Sequence, residues 1–287
     1  MSFASPHWAH RIGRAAVLAL YDELALAPKP GLVSFVDTGS HDDMDASSFM
    51  RSLFALRGYF VQCARLGRED CDFATLEQAG RDAEQRMLRA TGGVNTHRGA
   101  VFSLGLLCAS AAHAARGALA VRESLRAQWG AALFERAGRA RSGHGHRLAR
   151  EHGLRSANEE AAHGMPVLFE HAWPALQRAR ALRLSPRHAR LHCLMHAIAV
   201  LDDTNLVHRG GLRALAFAQR AARDFIAAGG AARPDAIEHA RSLHREFVAQ
   251  RLSPGGAADV LACACWLERV AEQTRVTPAA HGCEAVA

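Results

Sequence analysis

Apolar residues recur every three to four positions along most of the chain, and no convincing apolar–polar alternation of the strand type interrupts them. That period puts one stripe of side chains on one face of an α-helix, so the pattern predicts an all-α protein. A first helix is expected from about Trp8 to Ala27. It stops at Pro28-Lys29-Pro30-Gly31, where two prolines and a glycine cannot continue it. The irregular polar segment Leu32 to Asp45 follows. A second helix starts near Ala46, with Asp45 as its cap, and a third spans roughly Phe73 to Ala90. Beyond Thr91 to Gly99, a small-residue helix is expected from Ala100 to Ala115, then one or two helices over 119–140. The Gly-, His- and Arg-rich stretch Arg139 to Arg155 reads as a mobile excursion. Helices resume near Ala157 and after Ser185-Pro186, a cap followed by proline at the first helical position. Leu201 to Gly211 reads as a second polar loop and Leu212 to Ala228 as a helix. Ser253-Pro254 repeats the cap-and-proline start for a last helix to about Thr274. The expected architecture is a single compact multi-helix domain of about ten helices over residues 1–275, with a disordered tail at 276–287.

Composition supports the helical reading. Alanine and leucine dominate, and aromatic residues make up only 6% of the 287 positions. With 49% hydrophobic residues the chain can bury a sizeable core. No stretch approaches the roughly 18–20 uninterrupted apolar residues of a membrane span, and Met1 to Arg14 carries Trp, His and Arg without a signal-peptide core. A cytoplasmic protein with no membrane partner is the expectation. The net charge of +7 suits a polyanionic ligand. Two tyrosines and no basic–aromatic platforms argue against nucleic acid. The seven cysteines are odd in number and fall mostly in apolar helical stretches, which reads as buried thiols in a reducing compartment. His192, Cys193 and His196 lack a second ligand cluster at metal spacing, so zinc is not expected there.

Four polar segments interrupt otherwise plain helices: Pro28-Lys29-Pro30-Gly31 with Ser40 to Asp45, Thr91 to Gly99, Leu201 to Gly211, and Ser253 to Gly256. The second and third share a His-Arg-Gly order running toward a helix, at His97-Arg98-Gly99 and His208-Arg209-Gly210. A helix N-terminus offers unpaired N–H groups and partial positive charge, glycine lets an anion approach, and arginine grips it with a fork. Two such places suit a ligand with several phosphates. The acids Asp42, Asp43, Asp202 and Asp203 suit Mg²⁺ on a polyphosphate, although helix capping uses the same residues. A metal-dependent phosphohydrolase at His41-Asp42 and an isoprenoid synthase at Asp202-Asp203 both lack the further residues those enzymes need. Neither a Gly-x-x-x-x-Gly-Lys-Ser/Thr loop nor a Gly-x-Ser-x-Gly elbow occurs, which sets aside P-loop kinases and α/β-hydrolases.

Taken together these segments resemble the triphosphoribosyl-dephospho-coenzyme A synthase family. The resemblance runs through Glu23 and Pro28 to Val33, Gly39 to Met44, Thr91 to Gly99, Asp203 to Leu206, His208 to Gly211 and Ser253 to Asp259, in order over about residues 10–272. Where the family tends to read Ala-Arg-Gly-Glu-Ala, this chain reads Ala157-Asn158-Glu159-Glu160-Ala161, without the arginine. The resemblance implies a transferase with ATP and 3′-dephospho-coenzyme A as substrates. Adenine leaves and the triphosphoribosyl group joins the ribose 2′-hydroxyl, giving the prosthetic-group precursor for malonate decarboxylase or citrate lyase.

Breaking an N-glycosidic bond builds positive charge on the sugar, so such a site needs carboxylates, phosphate donors and a base. On residue chemistry, Lys29, Arg98 and Arg209 are expected to hold phosphates. Glu23 and Asp43 would help hold Mg²⁺, with Asp203 as the base or sugar-facing carboxylate and Glu160 as the alternative. His41, Asn95, Thr96, His97, Thr204, Asn205 and His208 would bind or orient substrate. A homodimer is compatible with all of this. Two readings from other classes stay open: a noncatalytic helical nucleotide-binding regulator and a Mg²⁺-dependent nucleotide hydrolase.

Overall fold

The computed structural model describes residues 7–112, 118–139 and 144–275. Those residues form twelve α-helices, with no strand among them. They are α1 (Trp8–Leu24), α2 (Ala46–Arg68), α3 (Phe73–Thr91), α4 (Arg98–Ser110), α5 (Ala118–Arg139) and α6 (His144–His152). After them come α7 (Ala157–Ala162), α8 (Trp173–Ala181), α9 (Pro186–Val200), α10 (Thr204–Ala227), α11 (Ala236–Ala249) and α12 (Gly255–Arg275). A π-helical turn at Val167–Ala172 leads into α8, and a 3₁₀ turn at Gly230–Ala232 leads toward α11.

The helix ends follow from local chemistry. Asp45 and Asp72 each accept the backbone N–H three residues on, at 2.8 Å, which fills one of the donors a helix start leaves open. Ser156 and Glu159 form a reciprocal capping box on α7, and Ser185 caps α9 with Pro186 at its first position. Small residues set how closely the helices cross. A Cβ on Gly13 would meet Val61 at 2.6 Å, and one on Gly67 would meet the Ala109 carbonyl oxygen at 2.1 Å. Glycine is therefore what lets α1 and α4 lie against α2.

Helix α12 is the central column, packing against α1, α4 and α9 and touching α8 and α10. Its middle turns are apolar all round, with Leu261, Ala262, Cys263, Ala264, Cys265, Trp266 and Leu267 all buried. A helix of that kind belongs in the interior. Cys63, Cys108, Cys193, Cys263 and Cys265 are buried free thiols, and burial pushes Cys63, Cys263 and Cys265 up to about 12. The rings of His192 and His196 meet edge to face at 4.6 Å. Among the described residues no group of three or more His, Cys, Asp or Glu is arranged to hold a metal. None of their helices is long and apolar enough to cross a membrane.

Several expectations change. The stretch expected to be a mobile excursion contains α6, which packs against α10 and carries the buried Ala149 and the partly buried Leu148. Two apolar anchors were enough to fix a turn whose Gly, His and Arg content concealed its period; positions 140–143 lie outside the described residues. The expected loop Leu201 to Gly211 is helical from Thr204, because Asp203 caps it and Leu206 and Val207 are buried beneath it. Its irregularity is confined to Gly210 and Gly211, the latter at φ 66° and ψ −168°, where the helix breaks and restarts. Helix α1 ends three residues earlier than expected, at Leu24. Ser253 is not the cap of α12: its hydroxyl bonds His41, and Asp203 from another element fills that role. Helix α11 and the π-helical turn were not singled out from the pattern. The expected tail beyond 275 and Cys283 lie outside the described residues.

Candidate active site

The end of α1 and the loop that follows it form the floor. Lys29 Nζ donates to the Glu23 carbonyl oxygen at 2.8 Å and to the Glu23 carboxylate. Both residues are sealed, at 1% and 4% exposure. Burial pushes the carboxyl up and the ammonium down, and each partner's charge pulls the other back. The backbone carbonyl of Lys29 also accepts from His244 Nδ1 at 2.8 Å, which anchors the loop to α11.

The start of α4 closes on the same floor. His97 occupies the N-cap position, and its side chain makes no capping bond. Its Nδ1 instead meets Ser52 Oγ at 2.6 Å, its ring stands edge-on to Phe49, and its Nε2 is buried without a partner among the described residues. Burial, with the Lys29 charge as the second cause, pushes its pKa down to about 3. The imidazole is therefore neutral at ordinary pH.

Asp203 ties two helix starts together. Its Oδ1 accepts from the Asn205 backbone N–H at 2.9 Å and from Asn205 Nδ2 at 3.0 Å. Its Oδ2 accepts from the Ala257 N–H at 3.1 Å, in the first turn of α12. Burial raises its pKa, and these donors oppose the rise. Helices α10 and α12 thus bring their N-terminal ends, with their partial positive charge, to one place, and α4 starts beside them, its Gly99 against Asp259 of α12.

A residue given no role from the sequence completes the cluster. Asp259, in the second turn of α12, lies against the start of α4: a Cβ on Gly99 would fall 1.9 Å from its Oδ2. Desolvation holds its carboxyl well above the usual carboxylate range, and the negative charges of Glu23 and then Asp203 add to that. The Ala100 backbone N–H is the group that draws it back toward ionisation. The sequence did carry a signal, a single acid in a helix that otherwise reads Gly, Ala, Val, Leu, Cys and Trp from 255 to 267.

An outer layer joins the remaining loops. Arg209 Nη1 donates to the Ser40 and Arg251 carbonyl oxygens, each at 3.0 Å, and Nη2 lies 3.2 Å from His41 Nδ1. His41 Nε2 meets Ser253 Oγ at 2.9 Å, and its Nδ1 meets the exposed Asp43 at 3.3 Å. Ser40 Oγ donates to the Leu252 carbonyl at 2.6 Å. Desolvation, and then Arg209, lowers the pKa of His41.

The other expected residues sit elsewhere or differently. Arg98 turns away to Glu84 at 3.1 Å and is half exposed. Asn95 is exposed and caps α4 by accepting the Arg98 N–H at 3.1 Å. Thr96 is partly buried, with an enclosed hydroxyl that has no partner among the described residues. Thr204 is the first residue of α10, and His208 is exposed on its last turn before the break. Glu160 accepts from the Val167 N–H at 2.6 Å and from Arg155 Nη1 at 3.1 Å, while the Arg155 N–H bonds Asp202. That chain leads from Glu160 to Asp202, the neighbour of Asp203. Glu23 and Asp43, expected to share a metal, have different partners: a buried lysine and a surface histidine.

The chain matches the CitG family, described as ATP:dephospho-CoA triphosphoribosyl transferase, over residues 9–277. It belongs to that family. A relative in Azotobacter vinelandii is 40% identical over 271 residues, 92% of this chain and 93% of its own length. One in Stutzerimonas stutzeri is 38% identical over 285 residues, covering 96% and 95%. Another in Pseudomonas paraeruginosa is 41% identical over 260 residues, covering 89% of each. All three carry the name "Probable 2-(5''-triphosphoribosyl)-3'-dephosphocoenzyme-A synthase". No solved structure matches the chain. Membership makes the protein a transferase of this family, and its match spans every element of the site just described.

Proposed function

We propose that the protein transfers the triphosphoribosyl group of ATP to the ribose 2′-hydroxyl of 3′-dephospho-coenzyme A, releasing adenine. The product is read as the prosthetic-group precursor for the acyl-carrier subunit of malonate decarboxylase or citrate lyase, which receive the same molecule. The observation that carries this reading is the meeting of the starts of α4, α10 and α12 over a floor of three carboxylates and one lysine. Helix N-termini suit a polyphosphate. Carboxylates facing the sugar suit the positive charge that develops as the glycosidic bond opens.

Within that reading each group has a task. Arg209 and His41, with the N–H groups at the start of α4, receive the triphosphate from the open side. Lys29, already engaged by Glu23, sets the potential of the floor and opposes the rise that burial imposes on the Glu23 carboxyl. Asp203 keeps its lone pairs on backbone and Asn205 donors, which favours its role as a sugar-facing charge over that of a base. Mg²⁺ enters on the triphosphate as part of the substrate. Asp42 and Asp43, exposed on the His41 loop, suit a cation that keeps most of its waters.

The test is adenine release, followed by chromatography, from ATP and Mg²⁺ with and without 3′-dephospho-coenzyme A. Adenine only in the presence of the coenzyme, beside a product heavier by the triphosphoribosyl group, supports the transfer. Adenine or phosphate without the coenzyme points to hydrolysis, and ATP binding without turnover points to a regulator.

A further inference from the structure

We propose that Asp259 is the general acid of this site, donating its proton to the purine as the base departs. The proposal rests on the transfer reading above and names a residue for its hardest step. Adenine is a poor leaving group as an anion and a good one once a ring nitrogen is protonated.

Placement comes first. Glu23 and Asp203 are sealed residues whose carboxylates are already bonded, one to an ammonium and the other to backbone and amide N–H groups. Asp259 is only half-buried, and it lies against Gly99, an exposed residue at the open start of α4. Among the described residues no lysine or arginine pairs with it. Lys29, the cation of the floor, is held by Glu23. The bare Cα of Gly99 makes the position possible, since any side chain there would overlap the carboxyl.

Charge then favours a protonated group. Desolvation opposes its negative form, and the charges of Glu23 and then Asp203 add to that. Of the three acids, Glu23 has an ammonium partner and Asp203 has backbone and amide N–H donors. Asp259 has no cation beside it among the described residues and the Ala100 N–H as its donor, so it is the acid best placed to keep a proton. Acids forced into different environments divide into proton donors and charge partners in this way.

The step balances. The C1′–N9 bond breaks and its electron pair leaves with adenine, whose ring nitrogen takes the Asp259 proton. The 2′-hydroxyl oxygen forms the new bond to C1′ and gives its proton to solvent. Asp259 regains a proton from solvent, so nothing is oxidised or reduced.

The test compares ATP with N7-methyl-ATP, whose base already carries a positive charge and departs without an acid, using the full chain and 3′-dephospho-coenzyme A. Asp259→Asn is expected to lose about 10²- to 10⁴-fold in turnover on ATP and to stay close to the wild-type rate on N7-methyl-ATP. Gly99→Ala, which keeps the carboxyl and crowds it out of place, is expected to show the same split. It also serves if the Asn variant does not fold. Equal losses on both substrates in the folded variants overturn the proposal in favour of a structural role, and undiminished turnover on ATP overturns it outright. Wild-type protein that releases no adenine with the coenzyme present overturns the transfer reading instead, a separate result.

Discussion

The first turns of α12 and its middle turns do opposite things. Its front turns, Gly255 to Asp259, gather Asp203 and Asp259 at a junction of helix starts, with Glu23 close by. Its middle turns bury Cys263, Cys265 and Trp266 where the helix packs against α1, α4 and α9. Even the acids there are settled: Asp22, beside Glu23 in sequence, is bonded by Arg190 at 2.8 Å and by Arg269 at 2.7 Å. Asp22 has two arginine forks, so its charge is matched and spent on holding helices together. The front end has three carboxyl groups and one lysine, so the lysine cannot match them all. Unmatched buried charge opposes folding and is the raw material of chemistry.

Substitutions separate the two halves. Trp266→Ala should have the largest effect on stability, about 3–5 kcal/mol, because it opens a cavity in the column. Calorimetry should register it, while turnover per folded molecule stays the same. Lys29→Met removes the partner of a buried carboxylate. It should cost about 3 kcal/mol, with protonation of Glu23 setting the limit. It should also abolish turnover, and adding Glu23→Gln should restore the melting temperature without restoring activity. A double variant that regains turnover would mean that the pair only holds the loop. Asp203→Ala uncaps α10 and α12 together and should cost about 2 kcal/mol in denaturant unfolding.

Acid should act on the front half through His97. His97 has its pKa lowered to about 3 in the folded chain, against about 6.5 unfolded. The unfolded chain therefore binds its proton first as pH falls. This contribution to stability is whole above about pH 6.5 and declines between there and pH 3, by at most about 1.4 kcal/mol per pH unit. His97→Asn should flatten that part of the stability–pH curve; an unchanged slope would assign the acid loss to other groups. The smallest effect belongs to Arg98→Ala. Its pair with Glu84 is half exposed, so its stability change should fall within about 1 kcal/mol.

The sequence alone determined the helical class, most helix starts and the four polar segments that meet at the site. Those features are local: a 3.6-residue period, a capping acid or serine, a proline or a glycine acts within a few residues of itself. The pattern missed where local signals were weak or misleading. Leu148 and Ala149 are too few to reveal α6, and the polar look of Leu201 to Gly211 hid a helix held by Leu206 and Val207. Only the tertiary structure decided the partners. It gave Lys29 to Glu23, Arg98 to Glu84, and Ser253 to His41, and it made Asp203 a cap for a helix more than fifty residues away. It also set Asp259 against a glycine on α4. A carboxylate's charge, burial and role depend on which elements pack around it, and that packing is a property of the whole chain.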